Sequence, residues 1–497
     1  MLFLDPLLGL WQAELKREII KTMDTQIIIL ITLIAYKVVL IAIGFWASKR
    51  TVNEKDFFLA GGSLGPGVAA LSASASSSSA WTLLGVSGAA YHWGFSAIWL
   101  FPAVISGFIF NWYWIAPRLY KKTQEKGYLT LTAVLSDDDN PLIKKMLVTL
   151  SSVIILICFV FYVASQFDAA GATFVTTFDA NRQWSIILGA GVILFYTLLG
   201  GFWAVSVTDS IQGFMMALAA IILPTVAVYE VVQQGGLSLY WLALVKDGSL
   251  PLTMEFSGAM GIAFVLGTLG IGFGYPGQPH VVNRFMALKN EQAIKTARKI
   301  ALSWAVIIYS GMIILGFSGR VLVDASAATS HEQILMVLAN NLLHPLVAGV
   351  LLASVLSAIM STADSMLLTA GAAVSHDLKN AYWPVEKSFN SLLSSRLTIT
   401  ALCILSVLMA LYIEQTIYAR VLFAWSAIGA AFGPLLIVRL MGKKIAGGYA
   451  FLAMLTGFCL TLVFYWQENT AGDYLERLVP FIMSMVILVI GIQVNKR

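Results

Sequence analysis

The chain has 497 residues, of which 59% are hydrophobic and 11% are charged, and its formal net charge is +5 at pH 7. A soluble domain carries about a quarter charged residues, so this composition, with a mean hydropathy of +0.82, excludes an ordinary soluble protein and predicts an all-α polytopic membrane protein. The sequence shows no HExxH motif, phosphate-binding loop or suitably spaced Ser/His/Asp cluster, so we predict that it is not an enzyme. Its positive charges are spread over several loops, so no nucleic-acid partner is expected.

Residues 1–22 do not resemble a signal peptide, because Lys16, Arg17 and Lys21 follow the apolar stretch instead of preceding it. Two interpretations stay open: an amphipathic helix that lies on the membrane, or an extension in front of a true start at Met23. Neither adds a membrane span.

From residue 26 onward, apolar runs near the ~20 residues that span a bilayer recur about thirteen times. These runs leave almost nothing over for a soluble domain. We place them at 26–47, 66–91, 95–117, 146–177, 184–207, 209–233, 257–281, 298–323, 344–374, 396–413, 417–440, 447–466 and 477–495.

Positive charges cluster in alternate loops between these runs, and the positive-inside rule assigns those loops to the cytoplasm. An outer amino terminus, a cytoplasmic carboxyl terminus and an odd number of spans follow, in a cell membrane such as the bacterial inner membrane. The clusters are Lys49, Arg50 and Lys55; 118–145; 284–299; Lys379, Lys387 and Arg396; Arg439, Lys443 and Lys444; Lys496 and Arg497. The intervening loops hold single positive residues such as Arg182, Lys246, Arg320, Arg420 and Arg477.

Two of the runs, five spans apart, are interrupted. The second begins with Gly61-Gly-Ser-Leu-Gly-Pro66 and continues into Ser72-Ala-Ser-Ala-Ser-Ser-Ser-Ser-Ala80, and the seventh contains Gly274-Tyr-Pro-Gly-Gln-Pro-His-Val-Val-Asn-Arg284. Broken helices in lipid are tolerated where they line a cavity, and in secondary transporters they hold the substrate and the coupling ion. The spacing predicts a 5+5 inverted repeat. The two repeats are 66–234, with spans two to six, and 257–440, with spans seven to eleven. The first span precedes them in 1–65, and two further spans follow in 441–497.

The ninth run carries a polar stripe. Ala358, Ser361, Thr362 and Ser365 are spaced i, i+3, i+4, i+7 and therefore share one side of a helix. Such hydroxyls, with carbonyls freed by a helix break, suit a hard cation such as sodium. Hydroxyls bonded back to their own helix would produce the same pattern, so the stripe alone does not decide.

Ionisable residues within spans are costly, and we treat them as functional candidates. Asp364, Asp209 and Asp168 are the strongest of these. Lys37 is expected to extend towards the membrane surface, and Glu230 to lie at the interface.

At these positions the chain resembles the sodium/solute symporter family, and within it the bacterial sodium/proline symporters. The resemblance extends over nearly all of the chain from Met23 onward. It is carried by Ala73-Ser-Ala-Ser-Ser-Ser-Ser-Ala-Trp81, Gly200-Gly-Phe-Trp-Ala-Val-Ser-Val-Thr-Asp209, Gly274-Tyr-Pro-Gly-Gln-Pro-His280 with Arg284-Phe-Met286, and Ala358-Ile-Met-Ser-Thr362. It implies a leucine-transporter-type core with sodium as the coupling ion.

The resemblance also implies which residues form the sites. Sodium would bind the backbone oxygens of Ala75, Ser78 and Ala358 and the hydroxyls of Ser361 and Thr362. Asp209, Asp364 and Ser365 are expected to form a second ion site. By the resemblance, the solute would contact Tyr162, Tyr275 and Pro279. We also expect Gln166, Ile271 and Gln278 at the solute site.

Four positions depart from the proline-symporter pattern. Ile271 replaces a tryptophan, Ser77 an aspartate, Gly62 an arginine, and Asp364 a residue that is usually serine. We hypothesise that the negative charge has moved from position 77 to Asp364. The fold and the ion stay as implied, and the identity of the solute is left open.

The sequence therefore predicts a sodium-coupled importer of a small polar solute that works by alternating access, with proline or a related amino acid as the first candidate. A cationic or other organic solute is an alternative, suggested by Asp168 and Asp364. A channel on the same core is another, and a sensor would need a cytoplasmic signalling domain. The expected partners are the solute and membrane lipid, with no obligate protein partner.

Overall fold

The computed structural model describes residues 25–43, 45–46, 59–246, 248–323, 330–383, 390–413, 416–467 and 470–495. In these residues the regular structure is helical, apart from two isolated bridges. The surface helix or extension considered for 1–22 lies outside them.

The α-helices are α1 Thr25–Ile43, α2 Pro66–Ser77, α3 Val86–Trp93, α4 Leu100–Phe110, α5 Ala116–Lys126, α6 Leu131–Leu135, α7 Pro141–Phe178, α8 Arg182–Gly235, α9 Ser238–Leu244, α10 Gly258–Leu269, α11 Pro279–Met286, α12 Glu291–Leu322, α13 Ile334–Leu342, α14 Pro345–Ala372, α15 Lys379–Tyr382, α16 Asn390–Tyr412, α17 Ile417–Leu440, α18 Gly447–Tyr465 and α19 Tyr474–Val494. Tighter 3₁₀ turns cover Ala60–Gly62, Gly94–Trp99, Gly270–Gly277, His331–Gln333 and Ala471–Asp473. Wider π turns cover Trp81–Gly85, Asn111–Ile115 and Ala373–Leu378.

Within the described residues, 11 helical stretches are long and apolar enough to cross a membrane. The membrane-protein class is therefore confirmed, and the count of about thirteen spans remains a prediction. The number of helical stretches is smaller than the number of predicted spans because some predicted spans join without a gap between them. Trp81–Lys126 forms one continuous stretch, and Arg182–Phe195 is a shorter apolar part of α8. Gly201 bends α8 with φ 60°, a conformation that favours glycine, so two predicted spans share one long helix.

Two helices form the centre of the molecule. Most residues of α14 and α17 are buried, including polar ones, whereas α1, α18 and α19 expose much of their apolar surface. An exposed apolar surface on peripheral helices is what contact with lipid requires. The polar residues buried in α14 must therefore serve either packing or a site.

Two of the positively charged segments, 118–145 and the end of α17, lie next to each other. Arg439 in the last turn of α17 pairs with Asp138 at 3.3 Å, and Lys122 of α5 pairs with Asp137 at 3.4 Å. Loops from distant parts of the chain thus share one face, as the alternating charge pattern predicts.

Candidate functional site

The first interrupted helix, α2, ends inside the serine-rich run at Ser77. Ser78 follows with φ −121° and ψ 82°, outside the helical region, and helical turns resume at Trp81. The side-chain oxygen of Gln166 in α7 accepts a hydrogen bond from the backbone N–H of Ala80 at 3.0 Å. Gln166, expected at the solute site, therefore stabilises the interrupted backbone in this structure.

The second interruption separates α10 from α11. Gln278 is extended, with φ −78° and ψ 103°, between the 3₁₀ turns and Pro279, the first residue of α11. Proline is well suited to that position because it lacks only an N–H that would have no helical partner. The side-chain amide of Gln278 donates to the backbone oxygens of Gly274 at 3.1 Å and Trp425 at 3.0 Å. Gln278 thus binds a carbonyl within the interrupted segment, so its contact with a solute remains a prediction.

The hydroxyl stripe of α14 faces the end of α2. Ser361 Oγ lies 3.2 Å from the backbone oxygen of Ala75 and 3.3 Å from that of Ala358, and Thr362 Oγ1 lies 3.2 Å from that of Ser76. All five residues are fully buried. Neighbouring ligands of a hard cation bound at 2.3–2.6 Å lie roughly 3.3–3.7 Å apart, so these oxygens fit such an ion once the hydroxyl hydrogens turn away. The sequence prediction did not name the carbonyl of Ser76.

The two tyrosines expected to contact the solute are both buried. Tyr162 of α7 donates to Ser79 Oγ at 3.3 Å, beside the first interruption. The ring of Tyr275 packs edge-on against Trp425, with 4.7 Å between ring centroids. The indole N–H of Trp425 donates to the backbone oxygen of Ile271 at 3.1 Å. An indole from α17 therefore lies against the position where the sequence lacks a tryptophan.

A third tyrosine, Tyr309 of α12, was missed by sequence reasoning. Its hydroxyl lies 3.2 Å from Thr82 Oγ1 and 3.4 Å from Ser78 Oγ, and it also interacts electrostatically with Tyr275. Tyr309 therefore connects both interruptions. It lies within a long apolar helix and belongs to no motif, so only tertiary structure reveals it.

A buried ion pair lies beneath these hydroxyls. Arg284 of α11 donates to Asp209 Oδ2 of α8 at 2.9 Å, and both side chains are fully buried. Ser72 and Ser76 of α2 donate to the same oxygen at 2.8 and 3.0 Å, and Ser365 of α14 lies 3.5 Å from it. The sequence analysis counted Arg284 among the positive residues of a loop, which is wrong. It misjudged Arg284 because the broken segment continues into a helix that passes through the core.

The first span contributes to this cluster as well. Tyr36 hydrogen-bonds Ser357, and Lys37 contacts Met360 and interacts electrostatically with Asp364. The expectation that Lys37 extends to the membrane surface is therefore wrong, since a carboxylate within the protein attracts it.

Asp364 itself accepts a hydrogen bond from Ser365 at 3.2 Å. Arg284 also interacts electrostatically with Asp364. Two cations thus compensate Asp364 in addition to any bound ion, and a shift of charge from Ser77 remains a hypothesis.

Asp168 lies apart from this cluster. It pairs with Arg182 of α8 at 2.6 Å and with Arg420 of α17 at 3.3 Å. Arg420 is fully buried in α17, and Arg477 is almost fully buried in α19. Neither is therefore the loop residue that the sequence analysis expected. The two ion pairs of Asp168 thus join three helices, α7, α8 and α17.

The site is enclosed at both ends. At one end the ring of Tyr418 packs against Trp81 and Trp93, with centroids 6.0 and 5.5 Å apart. Glu332 accepts the backbone N–H groups of Ile417 at 3.2 Å and Tyr418 at 2.8 Å, which caps α17. Burial raises the pKa of Glu332 above its usual value, and these two N–H groups offset only part of that effect.

At the other end, the segment before α2 pairs with the segment after α11. Leu64 N–H donates to the oxygen of Ala287 at 3.0 Å, and Lys289 N–H donates to the oxygen of Leu64 at 3.1 Å. The two interrupted segments are thereby joined at the end opposite to Glu332.

Comparisons with known proteins agree with this geometry. The model of the sodium:solute symporter family matches residues 57–457. The osmoregulated proline transporter OpuE of Bacillus subtilis is 33% identical over 94% of this chain and 95% of its own length. The high-affinity proline transporter PutP of the same organism is 33% identical over 89% and 92%. A sodium/proline symporter of Salmonella typhimurium is 32% identical over 93% and 92%.

Two solved structures share the fold. A Na+-coupled sialic acid symporter in a substrate-bound outward-open state has a TM-score of 0.78 and 17% identity, over 94% of this chain and 98% of that one. MHP1, a nucleobase-cation-symport-1 family transporter, has a TM-score of 0.54 and 12% identity, over 90% and 95%. Both have the leucine-transporter-type fold predicted from the sequence. The chain therefore belongs to the sodium:solute symporter family and is an integral membrane transporter, not an enzyme.

Proposed function

We propose that the protein uses a sodium gradient to import a small zwitterionic solute, with proline as the first candidate. The observation that carries the proposal is the approach of Ser361 and Thr362 to the carbonyls of Ala75 and Ser76. Two hydroxyls and several backbone oxygens, buried without a competing cation among them, are the ligand set that a monovalent hard cation prefers. Sodium is cargo here, and the electrochemical gradient across the membrane supplies the driving force.

The solute would lie between the two interruptions, next to Tyr162, Tyr275 and Tyr309. In the described residues, the hydrogen-bonding partners of these phenols are hydroxyls, and neither a carboxylate nor an ammonium contacts them. Neutral phenols and hydroxyls bind a molecule with balanced charges, such as an amino acid, without leaving a buried charge unpaired. The relatives named for proline transport support proline as the first solute to test.

A cationic solute is less well supported. That alternative depended on Asp168 and Asp364, and Asp168 is already paired with two arginines. Asp364 lies near Lys37 and Arg284, whose charges disfavour a further cation.

Alternating access would use the two enclosed ends in turn. We propose that 66–234 and 257–440 form the two repeats, each beginning with an interrupted helix, and that movement of one against the other opens first one end and then the other. The positive loops would face the cytoplasm, so the carboxyl terminus would lie inside and the end capped by Glu332 outside.

Reconstitution in proteoliposomes tests the proposal. An inward sodium gradient should drive accumulation of radiolabelled proline above the external concentration, and choline in place of sodium should abolish it. Accumulation above equilibrium excludes a channel. Equal uptake in choline without a proton gradient would contradict sodium coupling. If proline is not accumulated, a thermal-shift screen of amino acids, betaines, polyamines and organic acids in sodium identifies the solute.

A further inference from the structure

The cluster around Asp209 contains a carboxylate and hydroxyls, which are also oxygen ligands of hard cations, but a side-chain cation already occupies it. Arg284 Nη2 lies 2.9 Å from Asp209 Oδ2 and 2.5 Å from Ser365 Oγ, and Arg284 Nε lies 3.0 Å from Ser72 Oγ. One carboxylate and two hydroxyls therefore surround the guanidinium. An ion placed against Asp209 Oδ2 would compete with the guanidinium for these oxygens.

The guanidinium is also fixed from its other sides. Its Nη1 donates to the backbone oxygen of His280 one turn earlier in α11, and its carbon lies 5.0 Å from the ring centroid of Phe202 in α8. Both the hydrogen bond and the cation–π contact hold the planar group in one orientation. Arg284 is thus an ordered component of this site, joined to α2, α8, α11 and α14.

The formal charges of the cluster are balanced. Asp209 and Asp364 contribute two negative charges, and Arg284 and Lys37 contribute two positive ones. A further cation at Asp209 would leave a net positive charge in a buried region, which is costly at low dielectric. The sodium site formed by Ser361 and Thr362 has no such resident cation among its ligands.

We propose that Arg284 is a tethered cation that fills the second cation site at Asp209, so that the protein couples each solute molecule to a single sodium ion. The inference rests on the proposed sodium coupling and adds a stoichiometry with a residue responsible for it. Asp209 Oδ1 is buried and has no hydrogen-bond partner in the part of the chain that the structure describes. Without the guanidinium, this oxygen and the hydroxyls of Ser72 and Ser365 would be available to an ion.

Equilibrium binding of ²²Na⁺ to the purified full-length protein tests this without knowledge of the solute. The wild type should bind one sodium ion per protein. Arg284→Gln should bind two, because it leaves the carboxylate of Asp209 uncompensated. The double variant Arg284→Gln with Asp209→Asn should bind one again, because both charges are then gone. Arg420→Gln is the matched control: it also removes a buried arginine paired with an aspartate, and it should still bind one.

The outcomes separate the inference from the function on which it rests. Two sodium ions bound by the wild type would contradict the tethered cation and leave sodium coupling intact. A folded Arg284→Gln variant that binds only one ion would also overturn it. If Arg284→Gln does not fold, Arg284→Lys keeps a cation at the site and should bind one ion; two would refute the inference. A wild type that binds no sodium would refute the proposed function itself.

Discussion

Removing the proposed hydroxyl ligands of α14, Ser361 and Thr362, one at a time should weaken sodium activation in measurable steps. Thr362→Val keeps the shape of the side chain and loses only the hydroxyl that lies 3.2 Å from the oxygen of Ser76. Ser361→Ala loses the hydroxyl that lies within 3.2 and 3.3 Å of two carbonyls. An interaction with a charged partner contributes about 1.5–3 kcal/mol, so each variant should lower sodium affinity about 10- to 150-fold.

The double variant should lose more than either single one, and less than the product of the two. The two hydroxyls would bind the same ion, and substitutions that share a partner are not additive. The assay is the sodium dependence of solute uptake in proteoliposomes at a fixed, saturating solute concentration. Ser354→Ala is the matched control, because Ser354 is a buried serine of the same helix whose hydroxyl donates only to the backbone oxygen of Val350.

Two results would refute this reasoning. If Thr362→Val and Ser361→Ala change sodium activation no more than Ser354→Ala does, these hydroxyls only pack the helix against α2. If both variants lower the maximal rate without changing the sodium concentration for half activation, they affect the conformational change and not the ion. Valine has the same branched shape as threonine, so an effect of Thr362→Val on sodium activation would report the lost hydroxyl and not a changed side-chain shape.

Three further predictions follow from the enclosed site. Gly277→Ala would place a methyl group 2.8 Å from the Cα of Gly429, and it should cost about 1–3 kcal/mol of stability, seen as a lower thermal unfolding midpoint in detergent; Gly448→Ala, with open space around it, should show no change. Tyr309→Phe should raise the solute KM about 2- to 12-fold, the value of one neutral hydrogen bond, and leave the sodium dependence unchanged; an unchanged KM would exclude contact with the solute. Because the pKa of Glu332 is raised, the enclosed state binds a proton more tightly than a state in which this carboxyl is exposed. Acidifying that side of the membrane should therefore favour the enclosed state and slow uptake. Glu332→Gln should remove this pH dependence, and a pH dependence that persists in the variant would belong to another group.

The sequence was informative wherever backbone chemistry limits the alternatives. Two prolines and repeated glycines cannot continue a helix in lipid without partners, so the second interruption was predictable, as was the polar stripe of α14. The serine-rich run pointed to the first interruption only by its position in the matching half, since its residues stay helical as far as Ser77. The family resemblance then named the carbonyl of Ala75 and the hydroxyls of Ser361 and Thr362, and the structure brings these together. That they bind sodium remains a proposal.

The sequence was misleading where a side chain is explained by its tertiary partner. Arg284 follows an interrupted segment and precedes several lysines, so its position predicts a cytoplasmic loop, yet Asp209, 75 residues earlier, holds it in the core. Lys37 has no acidic neighbour on its own helix, and its electrostatic partner Asp364 lies in α14. Contacts at such separations leave no local periodicity, so no pattern within one span could predict them.

The geometry around the first interruption provides a short route for coupling. The carbonyls of Ala75 and Ser76 face the hydroxyls of α14, and Ser78 and Thr82, a few residues further on, face the hydroxyl of Tyr309. An ion that fixes the end of α2 would therefore also fix the backbone that presents the hydroxyls of the solute site. Whichever ligand binds first would then supply the free energy needed to order this segment. The second ligand would bind to an already ordered segment, so the binding of each would favour the binding of the other. Coupling between ion and solute would require no long path through the protein, because the same interrupted segment would belong to both proposed sites.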